Sequence, residues 1–146
     1  MTVCLDNCAF NRPFDDQSQL RIRLESEAKL AIQAQIRDGE LELIWSYVLD
    51  YENEANPFPE RRWRIGEWRE FASRTIVESE NLLAAATGVS QKGLKKLDSL
   101  HLACALEGKS DLFFTTDDGI LKKRDRIDGI KILNPVEFIT QSGNPE

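Results

Sequence analysis

Short apolar stretches alternate along the chain with longer segments in which apolar residues recur at helical spacing. Thr2 to Leu5 predicts a first strand, followed by a loop through Asn11-Arg12-Pro13-Phe14-Asp15-Asp16, where Pro13 and the paired aspartates supply turn chemistry. A long helix is predicted from about Gln17 to Arg37, with Leu20, Leu24, Ala28, Ala31 and Ile32 as its buried stripe and Asp38-Gly39 as its stop. Glu40 to Trp45 alternates as a strand. Ser46 is placed to cap a helix through about Ala55, which Asn56-Pro57 breaks. A helix from Pro59 to Ala72, a brief strand at Thr75 to Val77 and a helix from Ser79 to Ala86 stopping near Gly88 come next. Leu94 to Leu106 predicts another helix, with Leu94, Leu97, His101 and Cys104 on one stripe. Leu112-Phe113-Phe114 is a continuous apolar run, as in a strand covered on both faces. Asp117 to Arg124 predicts a short helix, Lys131 to Leu133 a last strand, and Pro135 the start of a terminal helical turn.

Strands separated by helices pair in parallel through right-handed crossovers. The expected fold is therefore α/β, a three-layer α/β/α sandwich around a central parallel sheet. With 146 residues and no repeat or linker, one domain over residues 1–146 is expected. No apolar run approaches the roughly 20 residues that span a bilayer, and no basic-then-apolar leader opens the sequence. A cytoplasmic location is expected, with no membrane partner.

Composition narrows the chemistry. Cys4, Cys8 and Cys104 are an odd set without a CxxC pair, so no disulfide framework is expected. A zinc site on Cys4 and Cys8 would have only His101 to help, short of the usual four ligands. The net charge of −6 runs against a general nucleic-acid-binding surface. It is compatible with one if much of the negative charge lines a pocket for cations. The basic residues cluster at Arg61/Arg62/Arg64/Arg69, Lys92/Lys95/Lys96 and Lys122/Lys123/Arg124/Arg126, and read first as solvated helix faces.

In open parallel sheets, sites form outside the carboxyl ends of the strands. Asp6 directly follows the first strand, and Asp117 follows the Phe113-Phe114 strand after a Thr115-Thr116 step. Glu52 lies on the helix entered from the second strand. Asp98 sits between Leu97 and Leu100, where a charge is costly unless balanced. Each has a plainer role: Asp6 and Asp117 as caps, Asp98 as an N-cap, Glu52 as a solvated helix acid. Acids forced together either share a proton or bind a hard cation. All-oxygen ligation points to Mg²⁺ or Mn²⁺.

At these residues the sequence resembles the PIN-domain family of the VapC-type toxins, over nearly the whole chain. The resemblance rests on Leu5-Asp6-Asn7-Cys8 continuing to Asn11-Arg12-Pro13-Phe14-Asp15-Asp16, on Ser46 to Glu52, on Leu97-Asp98-Ser99-Leu100-His101-Leu102-Ala103, and on Phe113-Phe114-Thr115-Thr116-Asp117-Asp118. It implies a PIN-like sandwich and an acidic Mg²⁺ or Mn²⁺ pocket that cleaves RNA, with Asp6, Glu52, Asp98 and Asp117 as the catalytic acids. Asp6, Asp98 and Asp117 would hold the metal, and Glu52 would orient or deprotonate the attacking water. Asp118 is an alternative to Asp117. Many relatives are toxins restrained by an antitoxin protein, and many are homodimers. The family usually has a small hydroxyl residue and then Asn or Ser after the first aspartate. Here Asn7 and Cys8 stand there, and a thiol is a weak hydrogen-bonding replacement. His101 is expected to pack or to support the acids rather than to act as a base.

The competing reading is a weak or inactive member that binds RNA or a protein. Other enzyme classes fit less well. An aspartyl phosphatase wants a second aspartate where Cys8 stands, and no GxGxxG or GxxxxGK[ST] motif is present.

Overall fold

The computed structural model describes residues 1–142; the expectation of one domain to residue 146 therefore extends past the described residues. Five strands form one all-parallel sheet in the order β3-β2-β1-β4-β5. They are β1 (Thr2–Leu5), β2 (Glu42–Ser46), β3 (Ala72–Ile76), β4 (Leu112–Phe114) and β5 (Lys131–Leu133). The chain builds outward from β1 to β3, then returns to the other side of β1 to lay down β4 and β5. The point where the order reverses lies between β1 and β4, whose register pairs Val3 with Leu112 and Leu5 with Phe114. A crevice is expected at the carboxyl ends of these two strands.

The helices are α1 (Asn7–Asn11), α2 (Leu20–Arg37), α3 (Tyr47–Glu54), α4 (Pro59–Gly66), α5 (Glu80–Ser90), α6 (Lys96–Glu107), α7 (Asp118–Lys122) and α8 (Pro135–Ser142). They cover both faces of the sheet, because successive strand side chains point to opposite sides. Phe114, Leu5, Leu43 and Trp45 join one core with Phe10, Ile32 and Ile36 beneath α1 and α2. Phe113, Cys4 and Ile132 join the opposite core with Leu102 and Ala105 of α6. Burying each such side chain contributes about 1.5–3 kcal/mol, so the apolar β4 sequence fixes both layers at once.

Several local expectations need correction. The loop expected to begin after β1 is instead the helical turn α1, because Asp6 accepts a hydrogen bond from the amide of Asn7 and caps it. A 3-10 turn at Arg12–Phe14 follows, with Pro13 tolerated in its first turn. The expected helix from Pro59 to Ala72 ends at Gly66, continues as a 3-10 turn at Glu67–Phe71, and gives way to β3. Gly88 lies inside α5; packing of Ala86 and Val89 offsets the roughly 1 kcal/mol that a helical glycine costs. The Gly39 stop holds, with φ at 80°, as does the Ser46 cap, whose hydroxyl accepts from Leu49 N at 3.2 Å.

The buried stripe of α2 differs most. Leu20 and Leu24 are 61 % and 46 % exposed, whereas Glu25, Ser26, Lys29 and Gln33 are buried beside Ala28, Ile32 and Ile36. Glu25 accepts from Arg12 at 2.8 Å, from Arg21 at 3.1 Å and from the amide of Asn134. Hydrogen bonds to several donors make that burial tolerable, and the helix turns a polar side inward that apolar periodicity cannot reveal.

Candidate active site

Asp6 is the first residue beyond β1 and is 5 % exposed. Its Oδ1 accepts from Asn7 N at 2.7 Å, and its Oδ2 accepts from the Thr115 hydroxyl at 2.8 Å and the Cys8 thiol at 3.3 Å. Its own amide donates to Phe114 O at 2.8 Å, which ties it to the end of β4. The thiol at position 8 thus donates to the Asp6 carboxylate despite being a weak donor. Burial first, then the charge of Asp6, pushes the Cys8 pKa up to about 12. It stays a neutral thiol, able to donate.

Across the crevice, α3 carries Glu52 and α6 carries Asp98 and His101. Asp98 and His101 are three residues apart and share a helix face. His101 is 1 % exposed, and its Nε2 faces both the Glu52 carboxylate, in a short hydrogen bond, and Asp6 Oδ1 at 3.8 Å. Its Nδ1 is buried without a hydrogen-bond partner among the described residues. Burial works against its protonation, but the Glu52 hydrogen bond and the charges of Asp6, Glu52 and Asp98 outweigh it and raise its pKa. When protonated, the ring balances the Glu52 and Asp6 carboxylates. Asp6, Glu52 and His101 form a group whose ligand atoms lie within 4.8 Å of one another.

Asp98 and Asp117 complete the acidic crevice without joining that tight group. The Asp98 pKa is raised to about 6 by burial and by the charges of Asp6 and Asp117, against the opposing pull of His101 and Lys95. Its helix begins with Lys95 as N-cap, so the capping alternative does not apply to Asp98. Asp117 does cap α7, accepting from Gly119 N at 2.7 Å, and its amide donates to Thr115 Oγ1 at 3.0 Å. The neighbouring Asp118 turns outward onto Arg21, at 2.8 and 2.9 Å. Of the two aspartates, Asp117 is therefore the one whose charge reaches Asp98.

Two residues gain importance that sequence reasoning did not give them. Thr115 links Asp6 to Asp117; the only signal for it was its place between the buried strand and the aspartate. His101, expected to pack or to support the acids, is buried against Glu52 and Asp6, and its Nε2 also lies within the group of possible ligand atoms. Cys4 and Cys104 are buried, in different apolar clusters, and all three cysteines are free thiols.

The residues fit a hard divalent cation. Burial, and after it the charges of Asp6 and Asp117, raise the pKa of Asp98, and a cation among these oxygens would offset both.

No known family model matches the sequence, and no curated protein matches it. Among solved structures, the chain is similar to one in the crystal structure of VapBC2 from Rickettsia felis bound to a DNA fragment from their promoter. The two share 14 % identity with a TM-score of 0.56, over 92 % of this chain and 98 % of that one. At this identity the likeness is one of fold. The fold is an α/β/α sandwich, with Asp6, Glu52 and His101 gathered at the carboxyl end of β1, where the strand order reverses. Among the described residues, no helix is long and apolar enough to cross a membrane.

Proposed function

We propose that the chain is a PIN-like, Mg²⁺- or Mn²⁺-dependent endoribonuclease, the toxin of a toxin–antitoxin pair. The observation that carries this reading is the meeting of Asp6, Glu52 and His101 within 4.8 Å, with Asp98 close enough to feel the charges of Asp6 and Asp117. The likeness of fold to a protein of the VapBC2 assembly supports it, as do the sequence motifs that resemble VapC-type toxins. That assembly also supports a protein partner of antitoxin type; RNA as substrate rests on the sequence motifs alone, and a cytoplasmic location accords with both.

In this mechanism Asp6, Asp98 and Asp117 hold the cation. When bound, it lowers the pKa of a water and stabilises the leaving oxygen of the phosphodiester. Thr115, Cys8 and the Asn7 amide fix the Asp6 carboxylate in place. Glu52 orients the attacking water and accepts its proton. His101 Nε2 holds one Glu52 oxygen and carries a proton beside it, limiting the negative charge that builds in the crevice.

The test is cleavage of a mixed RNA pool by wild type and Asp98→Asn, in Mn²⁺, in Mg²⁺ and in EDTA. Metal-dependent cleavage by wild type alone is expected. RNA or protein binding without turnover by a folded wild type would instead favour the inactive binding module.

A further inference from the structure

Outside the acidic crevice, α2 presents a second polar feature. Lys29, Gln33 and Arg37 follow one another at four-residue intervals and lie on one side of the helix. They line a cavity of about 280 Å³ whose opposite wall includes Arg64, Glu67 and Trp68. Lys29 and Gln33 are 2 % and 4 % exposed. Neither side chain forms a hydrogen bond or ion pair with any other described residue, although buried lysines are almost always paired. Nor are their polar atoms sealed in the protein. The sealed, partnerless side-chain atoms are Tyr47 Oη, Asn53 Oδ1, His101 Nδ1 and Ser110 Oγ. Lys29 and Gln33 both line the cavity.

The ammonium has only ring faces for support. Its Nζ lies 5.1 Å from the centroid of Phe10 and 5.8 Å from that of Trp68, and the Arg37 guanidinium covers the Trp68 ring at 4.9 Å. Such contacts contribute about 0.5–2 kcal/mol each, less than the cost of burying an ammonium. Three cationic side chains and an amide donor converge on the cavity, against the single acid Glu67. Arg64 also lines the cavity; its side chain is half exposed and pairs with Glu60, four residues before it, at 3.3 Å.

We propose that this cavity is a binding site for a phosphate group, held by Lys29, Gln33 and Arg37 from α2 and closed by Arg64. The donors outnumber what a planar carboxylate can accept in one place, whereas a tetrahedral phosphate offers oxygens in several directions. The Trp68 ring is already covered by two cations, so the site takes the phosphate and not a stacked base. Burial, and secondarily the Arg37 charge, pulls the Lys29 pKa down to about 7, and a bound oxyanion would favour its charged form. The site is separate from the carboxylate crevice and stands independently of the reading given to that crevice.

The experiment is calorimetric titration in EDTA with inorganic phosphate, adenosine monophosphate and acetate, on the full chain. Wild type is expected to bind inorganic phosphate saturably at one site. Comparable binding of the monophosphate would assign an ester-borne phosphate as well as the free ion. Lys29→Met and Arg64→Ala are each expected to weaken phosphate binding about tenfold or more. Arg64 is on the surface, so its variant carries the test if Lys29→Met does not fold. No saturable phosphate binding, equal affinity in a folded variant, or acetate binding as tightly as phosphate would each overturn the assignment.

Discussion

The Thr115 hydroxyl donates to Oδ2 of Asp6 at 2.8 Å, joining residues 109 positions apart in the chain. The same hydroxyl accepts from Asp117 N at 3.0 Å, so one side chain sets the spacing of two acids on neighbouring strand ends. Thr115→Val keeps the shape and removes both bonds. The expected result is a stability loss of about 1–3 kcal/mol and a roughly 10–100-fold weaker Mn²⁺ affinity. Chemical denaturation and Mn²⁺ titration followed by electron paramagnetic resonance would check both. An unchanged Mn²⁺ affinity would count against Thr115 as a support of the site.

Asp98 predicts a pH dependence of opposite sense to that of a salt-bridged acid. Its pKa in the fold is about 6, above the ordinary 3.8. The folded state therefore binds more protons than the unfolded state between about pH 4 and 6, and stability falls as pH rises through that window. Asp98→Asn is expected to stabilise the metal-free protein at pH 7 by about 1 kcal/mol after allowance for solvent screening. The variant should also lose the rise in melting temperature that Mn²⁺ gives wild type. Thermal melts across pH 4–8, with and without Mn²⁺, measure both effects.

His101 behaves in the complementary way. Its pKa is raised above the ordinary 6.5, so its pairing with Glu52 is fully stabilising below about pH 6.5 and fades as pH climbs through the raised value. His101→Gln should cost most at pH 6 and progressively less above that range in metal-free denaturation curves. A cost independent of pH would mean that the ring only packs.

The two adjacent aspartates should separate cleanly in activity. Asp118 pairs with Arg21 on the surface, whereas the charge of Asp117 reaches Asp98. Asp117→Asn is expected to lower metal-dependent RNA cleavage about a hundredfold or more, and Asp118→Asn to change it less than about threefold. Equal losses in single-turnover assays would refute this division of roles.

Lys29 supplies a stability test that needs no ligand. Its pKa in the fold, about 7, lies below the ordinary 10.5, so the unfolded chain binds more protons between those values and stability rises with pH there. Lys29→Met should stabilise the protein on the order of 3 kcal/mol at pH 6. The gain should shrink as pH approaches 10. Urea denaturation at a series of pH values reads the difference.

Much of this molecule was legible from its residues. Phe113 and Phe114 announced a strand covered on both faces, Ser46 announced a cap, and the alternation of strands and helices required a parallel sheet with helices on both sides. Asp6 and Asp117 could be assigned to one edge because each follows a strand, and parallel strands end on the same side. These inferences succeed because side-chain periodicity and capping are local, and because a parallel sheet leaves few ways to connect them.

The tertiary structure alone decided the rest. Glu25, Lys29 and Gln33 face inward on α2 because Arg12, Arg21 and Asn134 meet the first, while Phe10 and Trp68 flank the second. Of those partners only Arg21, four residues before Glu25 on the same helix, is visible at helical spacing. His101 joined Asp6 and Glu52 because α3 and α6 converge on the end of β1, and Asp118 left the crevice because Arg21 reached it from α2. Sequence determines which side chains a strand or helix can present. Which polar groups then meet is set by long-range packing, where an unpaired buried charge costs more than any local preference returns.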